Sequence, residues 1–183
     1  FCIVGASAVV LPVLVVPCSI PRRMYDERYT RRGAHSPEFK QAQLIFDHVT
    51  LEMGLEPFRA EICLYSQRLR CAGQADALFK DAVGHIVVGD WKRIKLLKYE
   101  NRYAPLGYPL GHLDDCSWSL YALQLNTYAW FLESECGVTV ADLLLFLVHP
   151  ERQAPEIVKV PFLRAEIATI VDFEAEQGRA SAP

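Results

Sequence analysis

The six cysteines, at positions 2, 18, 63, 71, 116 and 136, include no C-x-x-C pair and none of the dense spacing that staples small secreted domains. Structural zinc sites usually draw their thiolates from close pairs, so zinc ligation by cysteine finds no support. A reducing, intracellular setting is the expectation, with nucleus, cytoplasm and mitochondrion not distinguished. Excess positive charge is missing too: Lys+Arg is 19 against Asp+Glu 22, a net charge of −3. The molecule is no polycation, and any contact with nucleic acid must be local. Repeats and low-complexity segments are also absent. What is present is a globular composition, 51% hydrophobic, 22% charged and 11% aromatic over 183 residues, which suits one compact domain with a sizeable core.

Charge is wholly absent from Phe1 to Pro21, a run rich in Val, Leu, Ala and Ile. Pro12, Pro17 and Gly5 interrupt it and no basic stretch precedes it, which argues against a membrane span and a secretory signal. A buried strand pair or a cleaved targeting segment is the plainer reading, and the opening on Phe rather than Met suggests a fragment or a wrongly assigned exon. Arg22, Arg23, Arg28, Arg31 and Arg32, broken by Asp26 and Glu27, then read as a solvated linker. The chain so divides into an atypical segment 1–33, a domain 34–178 and a frayed tail 179–183.

Within the domain, Ser36-Pro37-Glu38 is a helix start, since Ser caps free N–H groups and Pro at the first helical position forfeits no hydrogen bond. Phe39, Ala42, Phe46, Val49 and Met53 recur at three and four residues, predicting one buried helical face that ends at Gly54. From Pro57 to Ser66 the period drops to two, with Phe58, Ala60, Ile62 and Leu64 on one side and Arg59, Glu61, Cys63 and Tyr65 on the other. Strands are predicted there, over Leu69–Phe79 and over His85–Lys92. Residues 99–116, with Pro105, Gly107, Pro109 and Gly111, read as a long loop. A helix from Ser117 to about Cys136, a buried strand over Leu143–His149, an edge strand over Ile157–Val160 and a last helix over 162–177 complete the order.

The third strand carries a local anomaly: Ile86, Val88, Asp90 and Lys92 share a face, so two apolar side chains lead directly to two charged ones. Asp76, on the strand before, falls at the same end of the sheet if the two pair antiparallel. Two carboxylates suit a hard cation, because Mg²⁺ takes oxygen ligands and is usually held by one or two carboxylates with water and substrate phosphates. The Trp91 backbone carbonyl can add a ligand, and Glu61 is a third carboxylate within reach. A lysine two residues after Asp90 can hold a nucleophilic water and neutralise a pentacovalent phosphate. Lys92, Arg93, Lys95 and Lys98 also make a local basic run beside that site, suited to gripping phosphates. On the second helix Gln124 and Tyr128 are four apart and share a face with Tyr121 nearby, while Leu120, Leu123, Thr127 and Phe131 form a more apolar opposite stripe.

Taken in order, Arg59-Ala60-Glu61, Ala72-Gly73-Gln74-Ala75-Asp76, Gly89-Asp90-Trp91-Lys92 and Gln124-Leu125-Asn126-Thr127-Tyr128 resemble the PD-(D/E)XK nuclease superfamily in its RecB-like, lambda-exonuclease-type branch. The last stretch looks like that family's Q-x-x-x-Y motif. The resemblance spans residues 57–149 and implies an α/β, restriction-endonuclease-like core of order α-β-β-β-α-β, a mixed sheet flanked by helices. It implies a Mg²⁺- or Mn²⁺-dependent DNA nuclease in which Asp76 and Asp90 ligate metal, Glu61 assists, Lys92 positions water, and Gln124 and Tyr128 contact DNA. End trimming is favoured slightly over internal cutting, and a role in DNA repair or recombination would follow. The chain departs from the family at Ala75, where the signature has proline, and in the upstream Gly-x-x-x-His-like element, which is not legible around His35 or His48. The alternative expectation is therefore a catalytically inactive nuclease-like module that binds DNA or a protein.

Overall fold

The computed structural model describes residues 36–69 and 71–180; the apolar segment 1–21, the arginine-rich stretch after it, His35 and residues 181–183 lie outside the described residues. Ser36 is extended, its Oγ accepts the Phe39 N–H at 3.1 Å, and Pro37 opens helix α1, Pro37–Asp47. A π-helical turn, His48–Glu52, continues α1, and Gly54 at φ +68° stops it. The buried line is Gln41, Ile45 and Val49, whereas Met53 is 39% exposed, so the helix is rotated from the apolar stripe expected. Gln41 is the reason. Its side-chain carbonyl accepts the His149 N–H at 2.9 Å and its amide donates to the Arg152 carbonyl at 3.1 Å, which satisfies backbone groups that would otherwise be unpaired.

After α1 come strands β1, Glu56–Ser66, β2, Cys71–Lys80, and β3, Ile86–Arg93, then helix α2, Ser117–Cys136, strands β4, Val140–Val148, and β5, Glu156–Val160, and helix α3, Arg164–Ala180. They form one five-stranded sheet in chain order. The first three strands are an antiparallel meander, β4 pairs parallel to β3 after the crossover through α2, and β5 pairs antiparallel to β4. The fold is α/β, a mixed sheet flanked by helices, in the α-β-β-β-α-β order the resemblance implies, extended by β5 and α3.

Two apolar layers hold it together. On the α1 face Ile45 and Val49 pack with Phe79, Val87 and Phe146; on the α2 face Leu64, Leu78, Val88, Leu125, Phe131, Leu143 and Leu145 pack together. β4 serves both, which is why its sequence is a continuous apolar run rather than an alternation. Gly89 is required by the α1 layer, since a Cβ there would stand 2.4 Å from Phe146 Cε2. On β1 the pairing register skips between Pro57 and Arg59, which takes Phe58 out of the alternation expected of it. Phe58 is 36% exposed, and the Lys80 ammonium lies 4.0 Å over its ring.

Candidate active site

Alternation along β3 sends Ile86 and Val88 into the α2-side core and Val87 into the α1-side core, and the same phase carries Asp90 and Lys92 to α2. The β2–β3 ladder is paired from Lys80↔Ile86 to Ala77↔Gly89. One step further stand Asp76 and Asp90. There the Asp76 carboxylate, through Oδ2, accepts the Trp91 N–H at 2.9 Å. The strand is also out of phase at this point: Ala77 packs on the α1 side while Ala75, two residues back, packs on the α2 side. Across from Asp76, between the pairs Ala60↔Ala77 and Ile62↔Ala75, Glu61 has a left-handed φ of +50°. A residue with a Cβ pays roughly 1–2 kcal/mol for that conformation. The irregularity thus turns Asp76 towards Asp90 and leaves Glu61 exposed.

Asp90 is 1% exposed. Burial pushes its carboxyl up to about 6 against the downward pull of the Lys92 ammonium, and the neighbouring Asp76 carboxylate adds to the rise. Lys92 Nζ lies 2.5 Å from Asp90 Oδ2, donates to Gln124 Oε1 at 2.9 Å, and sits 4.8 Å from the centre of the Tyr121 ring. Three groups therefore hold one ammonium in place. Lys92 is the charge partner of the buried Asp90 Oδ2, and that pairing offsets part of the cost of burying the carboxylate.

The structure brings Asp76, Asp90 and Lys92 together at one end of the sheet, and α2 adds Gln124 and Tyr121, three residues apart on one helix face. Tyr128 is different. It is 4% exposed, its hydroxyl accepts from Gln124 Nε2 at 2.8 Å, and a Cβ on Gly73 would lie 2.7 Å from its Cε1. Tyr128, expected to contact DNA, is placed as a buried post beneath Gln124. The helix is also turned from the stripe expected, with Leu120 48% exposed and Ala122, Leu125 and Ala129 buried in the core beneath it.

The basic run does not form one ridge. Arg93 follows Lys92 on the strand, so it points to the α1 face, where its guanidinium binds Glu38 at 3.0 Å. Lys95 pairs with Glu151 at 2.5 Å. Lys98 is exposed and, among the described residues, pairs with no carboxylate; its backbone exchanges hydrogen bonds with Ser117 and Trp118 at the start of α2. Glu61 is likewise not gathered in. No group of three or more His, Cys, Asp or Glu able to hold a metal is found among the described residues, and His48 pairs with Glu52 on the surface.

The donor set present is two abutting carboxylates with an ammonium beside them. That fits Mg²⁺ or Mn²⁺, which accept one or two carboxylates and complete their shell with water and phosphate, better than the closed nitrogen and sulfur shells of zinc. Trp91 directs its N–H towards β2, and a strand residue directs its carbonyl to the same edge, the edge on which Asp76 lies.

No family model and no curated protein matches the chain. Among solved structures, an Eubacterium rectale protein described as a "Putative exonuclease" superposes over 78% of this chain and 52% of its own, at 14% identity and a TM-score of 0.43. The protein SSO0001 superposes over 85% of this chain and 66% of its own, at 14% identity and a TM-score of 0.35. The chain thus spans about half the length of the first and 66% of the second. Among the described residues no helix is long and apolar enough to cross a membrane.

Proposed function

We propose that this chain is a Mg²⁺- or Mn²⁺-dependent nuclease that hydrolyses phosphodiester bonds in DNA. The observation that carries the reading is the pair Asp76–Asp90, brought together at one end of the sheet, with the Lys92 ammonium fixed beside it. Asp76, Asp90 and the Trp91 carbonyl would hold the cation, which when bound supplies an acidified water and charge to offset the phosphate. Lys92 does the positioning: its ammonium, held by Gln124 and Tyr121, orients the attacking water and stabilises negative charge gathering on the phosphoryl oxygens. Gln124 carries that order inward to Tyr128 and Gly73. Lys98 is the member of the basic run left to meet a phosphate. The preference for end trimming rests on the likeness of Gln124 and Tyr128 to end-processing enzymes, and a place in DNA repair or recombination would follow from it.

The second reading, an inactive module that binds nucleic acid or protein, is favoured by the gathering of two acidic residues rather than three. One experiment separates them. End-labelled single- and double-stranded DNA is incubated in Mg²⁺, Mn²⁺ or EDTA with the chain and with its Lys92→Ala variant. Cleavage that needs metal and falls about 10²–10³-fold in the variant supports the nuclease, and the product ladder distinguishes trimming from internal cuts. Cleavage that survives Lys92→Ala sinks it, and salt-sensitive binding without cleavage selects the module.

A further inference from the structure

The loop between β3 and α2, residues 94–116, leaves the sheet directly after Lys92 and Arg93 and returns to the helix that holds the lysine. It displays aromatic rings. Tyr103 is 98% exposed and Tyr99 is 54% exposed. Tyr99 lies 6.1 Å from the Trp118 ring in the first turn of α2, and Trp118 is one helical turn before Tyr121, the ring beside the Lys92 ammonium. Tyr121 beside the Lys92 ammonium, Trp118 one turn earlier and Tyr99 against Trp118 thus line the way out from the site, and Tyr103 follows four residues later on the same loop. Tyr108, 84% exposed, stands against Phe173 of α3 and is not one of these rings.

The loop that carries these rings is braced. Pro105 bridges to Asp114, Asn101 donates its backbone N–H to the Asp114 carboxylate at 3.1 Å and its side-chain amide to the Asp115 carbonyl at 2.8 Å, and Lys98 is stitched to Ser117 and Trp118 by its backbone. Tyr99 and Tyr103 thus stand in water on a loop whose backbone is tied by hydrogen bonds. Tyrosines on such a platform, with the Lys98 ammonium at its root, match what an unpaired polynucleotide offers: base faces to stack on rings and phosphates to meet a cation. In a duplex those faces are already stacked on one another, so these rings have nothing to grip.

We infer that the 94–116 loop is a stacking platform for single-stranded nucleic acid, and that it feeds an unpaired strand to the Asp76–Asp90 site. The direction of feeding rests on the nuclease reading, but the stacking does not, so binding is measured in EDTA, where no cleavage occurs. A fluorescein-labelled single-stranded oligonucleotide and the matching duplex are titrated with the chain and with Tyr103→Ala, Tyr99→Ala and Tyr103→Phe, followed by anisotropy. Each alanine weakens single-strand binding about tenfold, Tyr103→Phe keeps it, and duplex binding is weaker and unmoved. Thermal unfolding of each variant shows that the fold is retained, as expected for so exposed a ring. Unchanged single-strand affinity in both alanine variants, or an equal loss on duplex, overturns the platform and leaves the loop as a surface for protein. Loss of cleavage in Lys92→Ala is read separately in Mg²⁺, so the failure of either idea is visible without the other.

Discussion

The two faces of β3 are built from the same strand by opposite rules. Towards α1, Gly89 and Trp91 serve packing: the glycine makes room for Phe146, and Trp91 lies 4.7 Å from that ring. Towards α2, Asp90 and Lys92 occupy positions that continue a buried apolar row and fill them with charge. The first face tolerates no added atom, and the second buries a carboxylate beside a single ammonium. The α1 layer therefore acts as the anvil against which the site is held, and the α2 layer contributes stability only around the site, not through it.

That contrast can be tested from its strongest consequence to its weakest. Phe146→Ala should cost about 3–5 kcal/mol in chemical denaturation, because it empties the α1 layer under both Gly89 and Trp91. A cost below 1 kcal/mol would show that the layer does not carry the strand. The charged face should behave in the reverse sense with pH. Folded Asp90 keeps its proton up to about pH 6, whereas in the unfolded chain it is lost near 4. Between those values the folded state binds the extra proton, so stability falls as pH rises through about 6, by roughly 2–3 kcal/mol at most.

Asp90→Asn removes that loss. The difference in denaturation midpoint between variant and parent, in EDTA, should grow from pH 4 to above 6 and then level off; a flat difference curve refutes it. Carboxylates shifted the other way, Glu38, Asp81, Glu133 and Glu151, cancel in this comparison. Gly89→Ala should cost about 1–3 kcal/mol by overpacking against Phe146 and should also lower cleavage, since the added methyl displaces the strand that bears Asp90. Loss of stability without loss of cleavage would separate the two faces entirely. Smallest of all, Arg93→Ala should leave cleavage and DNA affinity unchanged, because its guanidinium serves Glu38 on the far face. A clear loss of affinity would restore the basic ridge.

Much of this was readable from residue order. Alternation placed Asp90 and Lys92 on one face, and a cap, a proline and a glycine marked the helix ends. The same alternation assigns Arg93 to the opposite face, a signal that the run of basic letters obscured. Gln41 was hidden because hydrophobic periodicity has no way to register a buried amide that closes a loop 108 residues away. Tyr128 was hidden by its hydroxyl, which suits a surface contact and a buried one equally; only the pressure of its ring on Gly73 decides. Nothing in Glu61 announces a left-handed backbone, and that conformation is what separates it from the carboxylate across the ladder.

The parallel pairing of β3 with β4 has a consequence in time. Asp76 and Asp90 meet through a hairpin closed by the Asp81–His85 turn, with Asp76 only 15 positions from its Trp91 partner. Gln124 is 32 residues from Lys92 and reaches it only after the long loop and α2 have come across the sheet. Local contacts form before distant ones. During folding the two carboxylates should thus face each other before the helix that steadies the lysine has docked.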